Sequence, residues 1–346
     1  MNSNQSRPIR PEKLKTALGQ LFGLPIIRAD YQAKPLHGGT LGDVRLVTGT
    51  AVTADGEKRP YRLVAKAQRQ WERYGDAGSW RREYDLYASG FGGLFEGPLR
   101  WPACYHAEMT GDRWEIWMEY IEGVSGAALT NGMRERAAQE LGRFQGMLYA
   151  ERPDILKSLA NLGHAGAMKD FYRHYRSWPR VYDSIRSANC GIPKRLREMI
   201  IDADERADDI WARVEALPVV FCHRDFWDAN LFVTGHEVVL IDWDTAGWGY
   251  LGEDMVSLIA DEAAADSMPE RYQKCVPAYR RGFSERAGIS PIANLYIWER
   301  VVLHFGYRLV EAYLNARAES SLRDAGGAQA TVHTLQKIYE MSDIHV

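Results

Sequence analysis

The sequence predicts an α+β chain of two lobes, a small N-terminal antiparallel β lobe followed by a larger, mainly helical C-terminal lobe. Three observations carry this. Apolar residues alternate with period 2 between Gly-rich or polar turns from residue 31 to about 120. Beyond Gly123 the period changes to that of amphipathic helices. One strand-rich island, LPVVFCHRDFWDANLFV followed by EVVLIDWD, interrupts those helices. At 346 residues the chain is long enough to bury its cores without disulfide or metal staples. The expected division is residues 1–120 and 121–346.

Each element has a local reason. PEKLKTALGQLFG places Leu14, Ala17, Leu18 and Leu21 on one face, with Pro11 to open the helix and Gly23 to close it. YQAKPL, GDVRLVTG and YRLVAKAQ read as three strands, and WRREYDLYASG as a helix. RWPACYHAEM and DRWEIWMEYI form two further strands about a Thr110-Gly111-Asp112 turn. MRERAAQELGRFQGMLYA is a long helix with Ala137, Leu141, Phe144 and Leu148 along one side. The segments around 169–188, 193–216 and 252–346 continue as helices. The island itself turns at Thr234-Gly235-His236.

Composition excludes several classes. Net charge is -3, so no basic face advertises nucleic-acid binding. The cysteines, at 104, 190, 222 and 275, are too scattered for a disulfide framework or a Cys-rich zinc site. No apolar run reaches the 18 or so residues of a membrane span, and the first residues lack the apolar stretch of a secretory signal. A cytoplasmic protein without membrane or nucleic-acid partner is expected. Oligomeric state leaves no mark in the pattern.

The chemistry concentrates in His223-Arg224-Asp225-Phe226-Trp227-Asp228-Ala229-Asn230, followed by Val239-Leu240-Ile241-Asp242-Trp243. An H-x-D-x-x-x-x-N loop followed by a strand ending in Asp is an arrangement for phosphoryl transfer. Asp225 is the expected catalytic base, orienting an acceptor hydroxyl and taking its proton. Asn230 and Asp242 offer the hard oxygen ligands that Mg²⁺ prefers. His223 and Arg224 brace the loop, Asp228 caps a turn or faces solvent, and Asp244 either helps the metal or closes the turn.

The β lobe then supplies nucleotide contacts. Gly38, Gly39 and Thr40 form a turn between strands whose backbone N–H groups can approach phosphate. Val64 and Lys66 share one strand face, Val64 to pack on the base and Lys66 to reach the phosphates. Glu83, on the next helix, is the natural partner of the Lys66 ammonium. The backbone at Glu119 and Tyr120 is where an adenine edge is expected to hydrogen-bond.

These residues resemble the aminoglycoside phosphotransferase and choline kinase-like family, small-molecule kinases with the two-lobed protein-kinase-like fold. HRDFWDAN at 223–230, VVLIDWD at 238–244, YRLVAKA at 61–67, WRREYDLY at 80–87 and GWGYLGEDMVSL at 247–258 carry the resemblance, which covers roughly residues 30 to 320. It implies ATP as donor, with GTP open, and Mg²⁺ as cofactor. It also implies that Asp254 caps its helix or braces the catalytic loop. The family often has HGD where this chain has His223-Arg224-Asp225, closer to protein kinases. Against that rival, Trp243-Asp244 follows Asp242 in place of Phe-Gly, and no A-P-E follows.

The acceptor is expected to be a hydroxyl of a small molecule. An antibiotic, in resistance or self-protection, is the leading expectation. A metabolic kinase of choline, homoserine or sugar type is the alternative, and a nucleotide-binding module without turnover the third. Arg300, His304 and Arg308 fall at i, i+4 and i+8 of one helix, as an acceptor wall or a solvated stripe. Trp178, Tyr172, Trp248, Tyr250, Trp298 and Tyr307 are expected to be ordinary core material, the alternative being a cage for a quaternary amine.

Overall fold

The computed structural model describes residues 9–36, 42–73, 75–318 and 322–345. The chain opens with α1 (Pro11–Phe22), β1 (Ile26–Ala29), β2 (Gln32–Pro35), β3 (Asp43–Thr53), β4 (Lys58–Arg69) and α2 (Ser79–Ala88). There follow β5 (Leu99–Arg100), β6 (Cys104–Thr110), β7 (Arg113–Glu119), β8 (Val124–Ser125), α3 (Asn131–Glu151) and α4 (Ile155–Ser158). Then come α5 (Ala167–Arg176), α6 (Pro179–Arg186), α7 (Lys194–Glu205), α8 (Ala207–Glu215), β9 (Val219–Cys222), β10 (Leu231–Thr234), β11 (Glu237–Leu240) and β12 (Gly247–Tyr250). The chain continues as α9 (Glu253–Ala260), α10 (Met268–Ala287), α11 (Ile297–Ala318), α12 (Leu322–Glu340) and α13 (Ser342–His345).

Two compact units result: residues 1–123 with 154–162 and 239–245, and residues 124–153 with 163–238 and 246–346. The segments 154–162 and 239–245 thus group with the first unit, although both lie inside the range 121–346.

The first unit is an antiparallel sheet in the order β1-β3-β4-β7-β6, with β2 also paired to β3. Alternation along β4 gives the sheet two apolar faces. Tyr61, Leu63 and Ala65 pack with Val47, Ala51 and Trp117 against Leu14, Ala17 and Leu18 of α1. That helix begins at Pro11 and ends at Gly23, whose φ of 65° is the left-handed cap a side chain resists. On the other face Trp114, Ile116 and Met118 meet Trp80 of α2, and the half-buried Val64 joins them. Three strands went unread in the sequence, and β8 among them is only two residues long. β1 is four residues long, and β12 carries two glycines, which weaken any strand signal. Its antiparallel register with β9, from Gly247↔Cys222 to Tyr250↔Val219, is what makes it a strand.

The second unit is mainly helical, and no helix among the described residues is long and apolar enough to cross a membrane. Its central contact is α3 against α10. The two backbones meet at Gly142 and Gly282: a Cβ on Gly142 would overlap the Tyr279 carbonyl, and one on Gly282 the Gln139 carbonyl. Gly282→Ala should therefore destabilise the protein by roughly 1–3 kcal/mol, although alanine is the better helix former. Gly326→Ala, in α12 with open space at its Cβ position, should be neutral or stabilising by up to about 1 kcal/mol. Urea melts of the two variants check this, and equal effects would refute the close-approach argument.

Candidate active site

In the first unit, Lys66 leaves β4 on the face that looks toward α2. Its Nζ lies 2.5 Å from Glu83 of α2 and 2.7 Å from Asp242 Oδ1. The sequence thus brings a strand lysine, a helix glutamate and an aspartate 176 residues further on into one cluster. Segment 239–245 is held there by its neighbours. Trp243 is fully buried, its ring centroid 5.8 Å from Phe91 and 6.0 Å from Trp101. Arg82, the residue before Glu83, donates from Nη1 to the Asp244 carbonyl at 2.7 Å. Arg82 is itself fixed by a bidentate pair with Asp76, at 2.6 and 2.9 Å.

The electrostatics follow from burial. Dehydration disfavours the Lys66 charge, but Asp242, Glu83 and Asp244 together outweigh it and hold the ammonium above its ordinary pKa. Burial pushes Glu83 up to about 7, Lys66 pulling against it and the charge of Asp242 adding to it. Asp244 is raised too, first by burial and then by Asp242. Its carboxylate is paired with Arg73 Nη2 at 3.2 Å, so both its carboxylate and its carbonyl are engaged by arginines. Neither Arg73 nor Arg82 was assigned a role in the sequence, where nothing distinguishes them from surface arginines.

Elsewhere in this unit the nucleotide expectations have mixed placements. Gly38, Gly39 and Thr40 lie outside the described residues. Val64 sits on the Lys66 face, as its spacing requires. The Glu119 N–H is already donated to the Ala103 carbonyl at 2.9 Å. The Glu119 carboxylate holds Arg100 at 2.7 and 3.0 Å. The Glu119 N–H is therefore not free for an adenine edge at this residue. The Tyr120 ring lies under the Arg62 guanidinium, 4.2 Å from its centroid.

In the second unit, the loop after β9 carries Asp225 and Asn230. Asn230 Nδ2 donates to Asp225 Oδ2 at 2.7 Å and to the Asp225 carbonyl at 2.9 Å. The loop is tied from below by Asp254 at the start of α9, which accepts the N–H groups of His223 at 3.1 Å and Arg224 at 2.6 Å. Gln145 of α3 donates to Asp254 at 2.8 Å and to the Phe221 carbonyl at 2.9 Å. Burial raises Asp254 to about 6, with the two loop N–H groups working against that rise. Asp254 is thus a brace for the loop backbone, and Gln145 is a partner the sequence reading missed.

Arg224 has φ 68°, a conformation that a side chain resists. Its guanidinium faces inward, bonding the His164 and Trp248 carbonyls and pairing with buried Glu253 at 3.1 Å. The absence of a Cβ at Gly163 makes room for it. The arginine is thereby taken up within the fold. Both Arg224→Gly and Arg224→Ala should lose stability, because Glu253 loses its partner. The glycine variant should keep about 1 kcal/mol more, through its tolerance of positive φ. Chemical denaturation checks this, and equal losses would sink the strain argument.

Two expectations are corrected here. Arg300 does not line an acceptor wall: it is fully buried, bonds the Tyr250 carbonyl at 3.2 Å and is drawn by the charge of Glu253. The stripe on α11 therefore breaks up. His304 and Arg308 remain half-buried beside Tyr175 and Phe305, and burial with the nearby Arg308 pushes His304 down to about 3. The Asp228 side chain neither caps the turn nor faces solvent but lies between Arg134 and Arg271. Three of the six aromatics are engaged within the fold, as core material would be. Trp298 donates to the Ile338 carbonyl at 3.0 Å, Trp248 packs on Phe221, and Tyr172 donates to Asp204 at 2.5 Å.

The donor chemistry suits Mg²⁺. The Asn230 amide nitrogen is engaged by Asp225, so its side-chain oxygen is the atom it would offer to a metal. Asp242 supplies a carboxylate whose side chain is 37% exposed. Among the described residues no group of three or more His, Cys, Asp or Glu side chains is placed to hold a metal ion.

Comparison with solved structures places the fold. An aminoglycoside phosphotransferase from Alicyclobacillus acidocaldarius superposes with TM-score 0.56 at 14% identity, over 98% of this chain and 96% of that one. A choline kinase from Cryptosporidium parvum gives 0.53 at 16% identity, over 91% of each chain. A microcompartment-associated aminopropanol kinase gives 0.52 at 13% identity, over 89% of this chain and 90% of that one. No curated protein matches the sequence. The phosphotransferase enzyme family (APH) matches residues 96–291, a span that contains Asp225, Asn230 and Asp242 and exceeds half the chain. The protein is therefore a member of that family and has the two-lobed, protein-kinase-like fold of small-molecule kinases.

Proposed function

We propose that the protein transfers the γ-phosphate of ATP to a hydroxyl of a small metabolic acceptor, with an amino alcohol as the first candidate class. The observation that carries the reading is the Lys66–Glu83–Asp242 cluster. A buried lysine held by two carboxylates is costly to maintain for packing alone. Aimed at phosphate oxygens it supplies a fixed positive charge. The separate Asp225–Asn230 pair supports the second half of the reading. Asp225 would orient the acceptor hydroxyl and take its proton, and the Asn230 amide holds that carboxylate in one rotamer. Asn230 and Asp242 would hold Mg²⁺, which when bound neutralises charge on the phosphates. The adenine edge would meet the Glu119 carbonyl, since the Glu119 N–H is already used by Ala103.

Antibiotic inactivation, the leading expectation from the sequence, becomes the second reading. Choline and aminopropanol kinases stand beside an aminoglycoside phosphotransferase among the fold relatives. A polycationic antibiotic calls for an acidic acceptor surface. Of the stripe expected on α11, His304 and Arg308 stay half-buried, and neither is acidic.

The test is a mass-spectrometric transfer screen with ATP and Mg²⁺, using the Asp225→Ala protein as blank. Pools would hold amino alcohols, choline, homoserine, sugars, aminoglycosides, macrolides and peptide antibiotics. A phosphorylated amino alcohol made only by the native protein is the expected result. A phosphorylated antibiotic would favour the second reading. No product in any pool, with nucleotide binding intact, would favour a binding module.

A further inference from the structure

Asp228 stands inside the catalytic loop, three residues after Asp225 and two before Asn230. It opens the short 3₁₀ turn Asp228–Asn230. Two guanidinium groups grip its carboxylate. Arg134 of α3 donates from Nε to Oδ1 at 2.9 Å and from Nη2 to Oδ2 at 2.8 Å. Arg271 of α10 donates from Nη1 to Oδ1 at 3.3 Å and from Nη2 to Oδ2 at 2.8 Å. The two arginines are buried and Asp228 largely so, with side-chain exposures of 7%, 13% and 3% for Arg134, Asp228 and Arg271. Both arginines are oriented in turn: Arg134 bonds Asn131 Oδ1 at 3.2 Å, and Arg271 bonds the Leu258 carbonyl at 2.9 Å.

Such a cluster is more than packing requires. It buries two cations against one anion, and an apolar trio of similar volume would hold α3 and α10 together at least as well. The α3–α10 contact is moreover already made by the close backbone approach at Gly142 and Gly282. What the double bidentate grip adds is direction. Two planar forks on one carboxylate leave it one orientation. The turn that begins at Asp228 is closed by Asn230, whose N–H bonds the Trp227 carbonyl at 3.0 Å. That turn aims the Asn230 amide at Asp225 Oδ2. A shift at Asp228 would reach the Asp225 carboxylate through one short turn and one hydrogen bond.

We infer that Asp228 is a positioning residue for phosphoryl transfer, keyed by Arg134 and Arg271 to the α3–α10 pair, and that it sets the placement of Asn230 and, through it, of Asp225. This rests on the phosphotransfer reading above. It predicts that Asp228 acts on the chemical step and on metal use more than on substrate affinity.

The experiment compares native protein, Asp228→Asn and the triple variant Arg134→Met, Asp228→Leu, Arg271→Met. The readouts are Tm, kcat, KM for ATP, the Mg²⁺ concentration for half-maximal rate, and amide hydrogen exchange of peptides covering 223–231. Asp228→Asn should lower kcat about 10²-fold, as expected for a misplacement near 1 Å, raise the Mg²⁺ requirement and leave KM for ATP nearly unchanged. Exchange should quicken in 223–231 and not in α3 or α10. The triple variant, free of unpaired buried charge, should recover Tm without recovering kcat. Recovery of kcat together with Tm would overturn the inference, since the cluster would then be charge balance alone. Unchanged exchange at the loop in Asp228→Asn would overturn the clamp itself. If native protein and Asp225→Ala were equally inert in transfer, the phosphotransfer reading would fall, and the catalytic meaning of Asp228 with it. The exchange data separate that failure from a failure of the clamp.

Discussion

Asp225→Ala should lower the transfer rate by about 10²–10⁴-fold, the range for loss of a general base, while the protein folds as before and nucleotide affinity changes little. The separation of effects follows from the contacts. The carboxylate receives the Asn230 amide, but the same amide also bonds the Asp225 backbone carbonyl at 2.9 Å. Truncation therefore leaves the amide one of its two acceptors, and losing that hydrogen bond should cost about 1 kcal/mol. Product formation by mass spectrometry, nucleotide titration and a thermal melt together check the prediction. A variant that kept full transfer to the true acceptor would remove Asp225 from the catalytic role. One that failed to fold would show that the loop depends on this carboxylate more than its contacts indicate.

Lys66→Met should have the second large effect, on both affinity and stability. Losing a charged hydrogen bond to phosphate costs about 1.5–3 kcal/mol, or roughly tenfold to hundredfold in nucleotide affinity. The fold loses more, because Glu83, at 2% side-chain exposure, loses its cation beside the charge of Asp242. Breaking a buried pair from one side costs about 3–5 kcal/mol. A proton can relieve part of that cost. Burial already raises Glu83 to about 7 in the native protein, and removing Lys66 takes away the main opposing influence. A carboxyl raised on folding contributes stability that is complete below its unfolded pKa and is lost as pH rises through the folded value. The variant should therefore be hurt more at pH 8 than at pH 6. Adding Glu83→Gln should remove most of that difference. Urea unfolding at the two pH values tests the point, and an equal loss at both would mean that Glu83 does not take up the proton.

Much of the fold was legible because its signals are local. Pro11 and Gly23 bracket α1, period 2 marks β3, β4 and β7, and the Thr110-Gly111-Asp112 turn joins β6 to β7, with Gly111 at φ 60°. The candidate site was legible for a similar reason. H-x-D-x-x-x-x-N brings Asp225 and Asn230 within hydrogen-bonding reach inside one loop, and the period of β4 puts Lys66 on the face of Val64. What failed locally were β12, which exists through its register with β9, and the stripe Arg300, His304 and Arg308. A helical face is encoded by spacing, but what covers that face is not, and Arg300 is covered completely.

The sequence by itself therefore determined the two-lobed architecture and the lysine–glutamate partners, and it named the candidate base and the candidate metal ligands. Only the tertiary structure decided which charges are buried and what each one holds. Arg82 meets the Asp244 carbonyl across 162 residues, Lys66 meets Asp242 across 176, and Arg134 meets Asp228 across 94. No periodicity links positions so far apart. A charged side chain reads as a solvated one until the fold removes its water, and from then on it must have a partner. That requirement turns Arg82, Arg224 and Asp228 from ordinary polar residues into the supports of the site.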